Sequence, residues 1–489
     1  MSCPSDAKRG VSSPSFGFAL FLALKHGKIR LSIMDTFTAQ GARGEHTLAI
    51  TVGLVSLGCS KNRVDSEQML AALRDWGYQI LSDPARAEVI IVNTCGFIQA
   101  AKEEAIATLL EMAEYKQTGK CRLLVATGCF AQRYPEAIRD EMPEVDAILG
   151  VNEYCRLDEA IRAAFGGTKP VYTKDDGTFF EYGRVLTTPP YSAYVRIGEG
   201  CDNFCSFCAI PLIRGFYRSR EESDILAEIR ELAAKGVKEF TLIAQDTTRF
   251  GTDRGGVSRL PDLIEEAAAL PGVEWLRTLY CYPERIDERL VNAMLRHKNV
   301  CRYLDLPIQH ISPHILDSMN RTDTAEHIRS VVRMLKEKGI CVRTTLMVGF
   351  PGETEEDFQE LMDFVRESEF DRMGAFAYSA EEGTAAAEMD GQVPEEIKQE
   401  RYDRLMTLQH DISLKKNRAR VGETCRVLVD RRRGDRYAGR SETEAPETDG
   451  NIYFGSPEPL EPGSFVNVRI LGAKAYDLQG VCVGGAEKE

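Results

Sequence analysis

The sequence predicts an α/β protein in three parts: an N-terminal parallel-sheet α/β domain, a central open (β/α)6 barrel and a small C-terminal antiparallel β-barrel. Three observations predict it. Apolar strand-like runs alternate with helix-patterned segments up to about Gly167, a second alternating series begins near Tyr191, and beyond Arg418 the pattern turns to short β-rich runs separated by Gly and Pro. At 489 residues the chain is too long for one ordinary core, and a prior of about 150 residues per domain gives about three domains.

In the first series the strand candidates are Thr51 to Leu57, Glu88 to Thr94 and Arg122 to Gly128. Such βαβαβ units build a parallel sheet whose strands all end at one edge, where ligands bind. The domain is expected over residues 49–167, closing near Gly166 and Gly167, with a linker over 168–186. Thr187, Thr188, Pro189 and Pro190 carry the linker signal ahead of the second alternating series. The barrel is expected over 187–417, with strands at Ala193 to Ile197, Glu239 to Gln245, Trp275 to Cys281, Tyr303 to Pro307, Val342 to Val348 and Gly374 to Tyr378. Six βα units fall short of the eight of a closed barrel, hence an open one, with its chemistry at the C-terminal strand ends. The runs Thr424 to Val429, Asn451 to Phe454 and Phe465 to Ile470 mark the terminal β-barrel, over 418–486.

A hydrophobic fraction of 43% and a charged fraction of 28% are those of a soluble globular chain. The apolar run Phe16 to Leu24 falls short of the roughly 20 residues that span a bilayer, so no membrane segment is expected. Residues 1–48 are expected to be a disordered extension, with Met34 a candidate start. Fourteen cysteines spread through a large chain without a convincing signal peptide point to a reducing cytoplasm rather than to disulfides. The net charge of −14 argues against a surface devoted to nucleic-acid phosphates and favours a basic protein partner.

The segment Glu199-Gly-Cys-Asp-Asn-Phe-Cys-Ser-Phe-Cys-Ala-Ile-Pro places Cys201, Cys205 and Cys208 in a loop after the first barrel strand. A structural zinc site normally needs four ligands, and no fourth Cys or His lies close by in sequence. A 4Fe-4S cube held by three thiolates keeps one iron open for a cofactor, with Phe204, Phe207, Ile210 and Pro211 to exclude water. In the N-terminal domain Cys59, Cys95 and Cys129 each follow the end of a predicted parallel strand, one βα unit apart, so the fold would bring them to one sheet edge. They could ligate a second cube; the alternative is that Cys is simply a small buried hydrophobe, the reading adopted for Cys121, Cys155, Cys281, Cys301, Cys341, Cys425 and Cys482.

The spacing Cys-x3-Cys-x2-Cys on a βα-repeat domain resembles the radical S-adenosylmethionine (SAM) superfamily. The resemblance implies that the open iron chelates SAM and that electron transfer from the cube yields a deoxyadenosyl radical. Candidate SAM contacts by position are Phe207, Gln245 and Asp246, Gln309, and Gly349; each could equally be a structural strand-end residue. The order of parts resembles the methylthiotransferases, whose terminal module is called TRAM and whose auxiliary cube supplies the inserted sulfur.

Within that family the segments Ser56-Leu-Gly-Cys-Ser-Lys-Asn-Arg-Val-Asp-Ser-Glu and Ala244-Gln-Asp-Thr-Thr-Arg-Phe-Gly look like the RimO branch, which modifies an aspartate of small-subunit ribosomal protein S-twelve. The tRNA adenosine methylthiotransferases, the alternative, tend to read Tyr-Gly-Cys-Gln-Met-Asn and Gly-Gln-Asn-Val there. His310 and Glu382 stand where the tRNA branch usually has Ser and often has Pro. Departures are Pro313, His314 and the N-terminal leader. The resemblance implies two 4Fe-4S clusters, SAM both as methyl donor and as radical source, and as partners the ribosomal protein, free or within the ribosomal subunit, and an electron donor protein; no membrane partner is expected. Val421 to Glu489 carries nine Lys and Arg against twelve Asp and Glu, unlike a tRNA-reading barrel. RNA contact is left open by the basic turn of Arg431, Arg432, Arg433 and Arg436, for which a solvated loop is the other reading.

Overall fold

The computed structural model describes residues 49–174, 177 and 179–484. The expected extension 1–48 and the last two residues of the expected terminal module lie outside the described residues.

The first domain is a six-stranded parallel sheet in the order β2-β1-β3-β4-β5-β6, formed by β1 (Thr51–Ser56), β2 (Gln79–Leu81), β3 (Val89–Thr94), β4 (Leu123–Gly128), β5 (Ala147–Leu149) and β6 (Val171–Tyr172). β1, β3 and β4 match the expected runs, and side-chain alternation splits them between two cores. Val52, Leu54, Val89, Ile91 and Val125 pack under the helices Ser60–Asp75 and Leu157–Phe165. Val55, Ile90, Val92, Leu124 and Ala126 pack under Gln99–Ala113 and Pro135–Glu141. Helices on both faces explain why the strands read as continuous apolar runs. The remaining three strands have two or three residues each, too short for a period to show. Strand order reverses between β1 and β3, which opens a crevice at their C-terminal ends.

The described residues of the segment expected to be a linker strap the first two domains together. They supply β6, bury Phe180 in the first core with Tyr182 stacked on it at 4.2 Å, and include Arg184, which pairs with Glu67 of the first domain and Glu228 of the second.

The central domain is a parallel sheet in the sequential order β7 (Ser192–Arg196), β10 (Glu239–Ile243), β11 (Trp275–Thr278), β12 (Val300–Gln309), β13 (Cys341–Val348) and β14 (Arg372–Ala377). Its two edge strands do not pair, so the barrel is open as expected, and β8 (Gly198–Glu199) pairs with β9 (Arg218–Ser219) to close the loop after β7. Val195, Phe240, Leu242, Leu276, Leu304 and Val342 face outward to the helical layer. The inward face is polar and aromatic, with Glu239, Arg277, Tyr303, Asp305 and Arg343 all buried.

The last domain is a closed five-stranded barrel in the order β15 (Thr424–Arg433), β16 (Arg436–Arg440), β17 (Ile452–Gly455), β19 (Leu478–Cys482) and β18 (Phe465–Ala473). All its pairings are antiparallel except β17 with β19, which run parallel and close the barrel. The basic turn is the tip of the β15–β16 hairpin. This domain packs against the inner face of the central sheet: Leu428, Ala445 and Phe465 share a cluster with Tyr191, Tyr194, Trp275 and Tyr303. No helix among the described residues is long and apolar enough to cross a membrane.

Candidate active site

The loop after β7 is pinned from several sides. Cys201 N donates to the Gly215 carbonyl at 3.1 Å, and Cys208 N donates to that of Cys205 at 3.0 Å. Ser206 Oγ donates to the Ser318 carbonyl at 2.8 Å, and Asn320 Nδ2 to the Phe204 carbonyl at 2.9 Å. Tyr282 OH lies 3.6 Å from Cys205 Sγ, and the Arg321 guanidinium sits 3.9 Å over the Tyr282 ring. Burial pushes the Cys201 thiol up to about 12, and burial followed by the nearby Cys205 raises Cys208 as well. Thiols held this way keep their protons until a bound metal cation displaces them to solvent, so thiolate donors would form there as a cluster is bound.

Of the residues expected to keep water away, Phe207 packs edge-on against Phe350, with Ile315, Met347 and Tyr378 around it. Phe204 does not fit that expectation. It is 48% exposed, with φ at +46° turning its ring outward against the exposed Phe216.

The strand-end trio also comes together. Gly58 has φ +88°, and a Cβ there would lie 2.9 Å from Cys95 Cβ and 3.1 Å from its Sγ, so the first cysteine loop sits directly on the second. Asn62 Nδ2 donates to the Leu57 carbonyl at 3.1 Å and the Thr94 carbonyl at 3.0 Å, tying those loops, and Thr94 Oγ donates to the Thr127 carbonyl at 2.5 Å, tying the third. Burial raises the Cys95 thiol, and Cys129 and Cys59 raise it further. Cys129 is also raised by burial, against the pull of Arg214. Among the described residues no three His, Cys, Asp or Glu side chains close tightly enough for a single metal ion. A cube spreads its thiolates over separate irons and asks for a wider set.

One cysteine of the first trio meets the segment that follows the second trio across the interface of the first two domains. Cys129 packs with Val151, Ala209 and Ile213, the last two belonging to the segment that follows Cys208. Ala209 is the N-cap of the short helix Ile210–Arg214, which ends on Arg214. Arg214 donates to Glu199 Oε2, Asn62 Oδ1 and Asp65 Oδ2 at 3.0, 2.7 and 3.0 Å. Arg196 donates to Asp65 Oδ1 at 2.7 Å and Glu199 Oε2 at 3.1 Å. Burial alone would raise the Glu199 carboxyl, but the guanidinium groups of Arg214 and Arg196 outweigh it and bring it to about 2. Nearer Cys59, the Lys61 ammonium lies 3.3 Å over the Tyr280 ring, and Tyr280 takes φ +61° to meet it. Farther out, Lys102 and Arg133 of the first domain pair with Glu381 of the second.

The four remaining candidates divide. Gln245 Nε2 donates to Glu199 Oε1 at 2.6 Å while its Oε1 has no protein partner, and Gln309, at φ +73° on the end of β12, likewise has an unpartnered buried Oε1. Asp246 is committed to the protein. It accepts from Thr248 N at 3.0 Å and Asn203 Nδ2 at 2.9 Å, which makes it a brace under the Cys201 loop. Gly349 is also committed: at φ +72° its N donates to Glu353 Oε2 at 2.6 Å, and a Cβ would strike the Lys398 side chain. His310 is buried and its Nδ1 accepts from Ser312 N at 3.0 Å, while burial lowers it to about 3 and keeps it neutral. Of the cysteines read as core residues, Cys121, Cys281, Cys301, Cys341 and Cys482 are buried and Cys425 is half-buried. Cys155 departs from that reading because it lies on the surface, in a one-turn segment before the helix Leu157–Phe165.

Arg196, Glu199, Arg214, Asn62, Asp65 and Tyr280 are site residues that the sequence did not single out. Asn62 and Asp65 are polar residues on the helix Ser60–Asp75 and are fully buried, Asn62 by its bonds to Leu57 and Thr94 of its own domain and both by Arg214 of the central domain.

Comparison with known proteins agrees with this arrangement. Residues 51–150 match the model of "Uncharacterized protein family UPF0004", residues 195–365 that of the radical SAM superfamily, and residues 421–483 the TRAM domain. The chain is 50% identical over 444 residues to the ribosomal protein uS12 methylthiotransferase RimO of Pelotomaculum thermopropionicum, covering 89% of this chain and 100% of the relative. It is 48% identical to the RimO of Desulforamulus reducens, covering 88% and 99%, and 49% identical to that of Clostridium botulinum, covering 88% and 98%. Among solved structures, the radical SAM methyltransferase TsrM of Kitasatospora setae, with cobalamin and a 4Fe-4S cluster bound, shares the fold at a TM-score of 0.54 and 17% identity, covering 70% of this chain and 77% of that one. With its three domains in that order and identity near one half over the whole of the relatives' length, the chain belongs to the RimO family of methylthiotransferases in the radical SAM superfamily.

Proposed function

We propose that the chain methylthiolates the β-carbon of an aspartate in ribosomal protein uS12, with SAM as both methyl donor and radical source. Cys201, Cys205 and Cys208 would hold one 4Fe-4S cluster, and Cys59, Cys95 and Cys129 a second at which sulfur is supplied. The observation that carries this reading is the packing of Cys129 against Ala209 and Ile213, which follow Cys208 within a few residues, so that the end of one trio lies beside the segment after the other. Bound there, the clusters and SAM would supply a deoxyadenosyl radical to remove a hydrogen from the substrate carbon, and sulfur to replace it.

The chain's own residues bind, orient and exclude water. Gln245 and Gln309 offer unpartnered acceptors at the strand ends, with Phe207 as an apolar wall on Phe350. The Lys61–Tyr280 stack closes the side near Cys59, and the Glu381 pairs hold the two domains together. Fixing the substrate carbon between two reactive centres is a positioning problem, and proximity can supply much of the rate. The acidic balance of the terminal barrel, nine basic against twelve acidic residues from Val421 to Glu489, supports a basic protein as substrate.

Anaerobically reconstituted protein should contain two cubes' worth of iron and release deoxyadenosine with dithionite and SAM. Ribosomal protein uS12 treated with it should gain one methylthio group on aspartate by mass spectrometry. Unmodified uS12 alongside a modified tRNA adenosine would overturn the substrate assignment.

A further inference from the structure

We propose that Arg214 is a positioning residue that sets the reduction potential of the cluster at Cys59, Cys95 and Cys129, by donating a hydrogen bond to Cys129 Sγ; the inference rests on that trio's assignment as cluster ligands.

Arg214 Nη2 lies 3.6 Å from Cys129 Sγ, and the side chain is 1% exposed. A guanidinium stays charged under all ordinary conditions and donates through a rigid fork. Reducing a cube adds one electron and one unit of negative charge, shared with its thiolates. A buried cation donating to one of them therefore favours the reduced state, the more so where no water screens it. Cys129 is the most buried of the trio, whereas Cys59 is exposed, so the interaction falls where the local dielectric is lowest.

Nothing about the placement of Arg214 is loose. Glu199 accepts from Nη1, while Asn62 and Asp65 accept from the same Nη2 that reaches the sulfur, so its two N–H groups are shared among three acceptors; Asn62 is also the side chain that ties the first two cysteine loops together. Asp65 and Glu199 are shared with Arg196, so two cations and two anions balance while the donor nearest the sulfur is positive. Glu199 stands two residues before Cys201 and also accepts from Gln245, so any movement of the Cys201 loop is felt by the fork on Cys129. The cost of burying four charges is repaid only while every partner is present, which favours one fixed geometry of the interface.

The test is an EPR-monitored redox titration of the reconstituted full-length protein, unaltered and as Arg214→Gln and Arg214→Lys. The signal perturbed by added SAM identifies the Cys201 cluster. Arg214→Gln should keep both cubes' iron and move the auxiliary midpoint to a more negative value by about 59 mV, a tenfold change in the one-electron ratio, while the other midpoint moves less. Arg214→Lys, with charge but no fork, should shift the same way by a smaller amount. An unchanged auxiliary midpoint in either variant, or equal shifts of both clusters, overturns the proposal. A single cube's iron in the unaltered protein would instead refute the trio's assignment.

Discussion

The guanidinium of Arg440 grips the carboxylate of Glu239 through two 2.8 Å hydrogen bonds, joining a strand of the terminal barrel to the first residue of β10 in the central sheet. Both side chains are buried, and breaking such a pair costs up to about 3–5 kcal/mol, here offset in part because Glu239 keeps Arg277 at 3.7 Å and a hydrogen bond from Ser192. Arg440→Met should therefore lower the unfolding temperature and free the terminal barrel for proteolytic release. Unchanged melting and proteolysis would mean that the apolar contacts around Trp275 and Phe465 carry the docking alone.

Acid should act on the same interfaces. Burial would raise Glu199, Glu239 and Glu444, but Arg214 and Arg196, Arg440, and Arg420 and Arg372 respectively outweigh it, bringing Glu199 to about 2 and holding the others below the ordinary range. Because the folded-state values lie below the ordinary 4.5, this stabilisation is complete above about pH 4.5 and is lost as pH falls through the folded values. Melting temperature followed from pH 7 to pH 3 should drop most steeply below 4.5. Glu239→Gln should start lower and fall less steeply; an equally steep profile would exclude Glu239 as a contributor.

Replacing Cys59, Cys95 and Cys129 together by Ala should leave deoxyadenosine formation intact and abolish sulfur insertion. Iron analysis and product mass spectrometry read the two halves separately, and retained insertion would refute a sulfur site at that trio.

Gly58→Ala places a methyl group 2.9 Å from Cys95 Cβ on a backbone that L residues rarely adopt. Iron content should fall toward that of one cube, while the Cys201 cluster keeps its SAM-responsive signal. Full iron occupancy would show that the first two loops can part without losing the cluster.

Asp246→Asn keeps the size of the brace but weakens its hold on Asn203 and Thr248. SAM cleavage should drop about tenfold, the scale of one lost charge-assisted hydrogen bond, while auxiliary iron is retained. An unaltered rate would place Asp246 outside the support of the Cys201 loop.

The legible part of this protein was the part whose signal is local or periodic. Cys201, Cys205 and Cys208 stand within eight residues, and the strand-end trio repeats with the βα unit, so parallel-sheet geometry alone brings Cys59, Cys95 and Cys129 to one edge. Strands β2, β5 and β6 escaped because two or three residues show no period, and the strap at 168–186 because its partners, Glu67 and Glu228, lie in two different domains. The same distance in sequence hid Arg214: nothing between residues 129 and 214 announces that a guanidinium will reach a sulfur. Asp246 and Gly349 show the converse limit, since a strand-end position does not reveal whether a residue faces a ligand or braces the loop beside it.

The helix Ile210–Arg214 has five residues, about 7.5 Å of rise, with Cys208 just before its start and the Cys129 contact at its end. Its length is therefore a ruler for the gap between the two cysteine triplets. One inserted residue would swing the terminal side chain by about 100° and carry the fork away from the sulfur. Side chains along this helix can vary with the packing around them, but its residue count is held by a distance, so insertions and deletions there should be tolerated far less than substitutions.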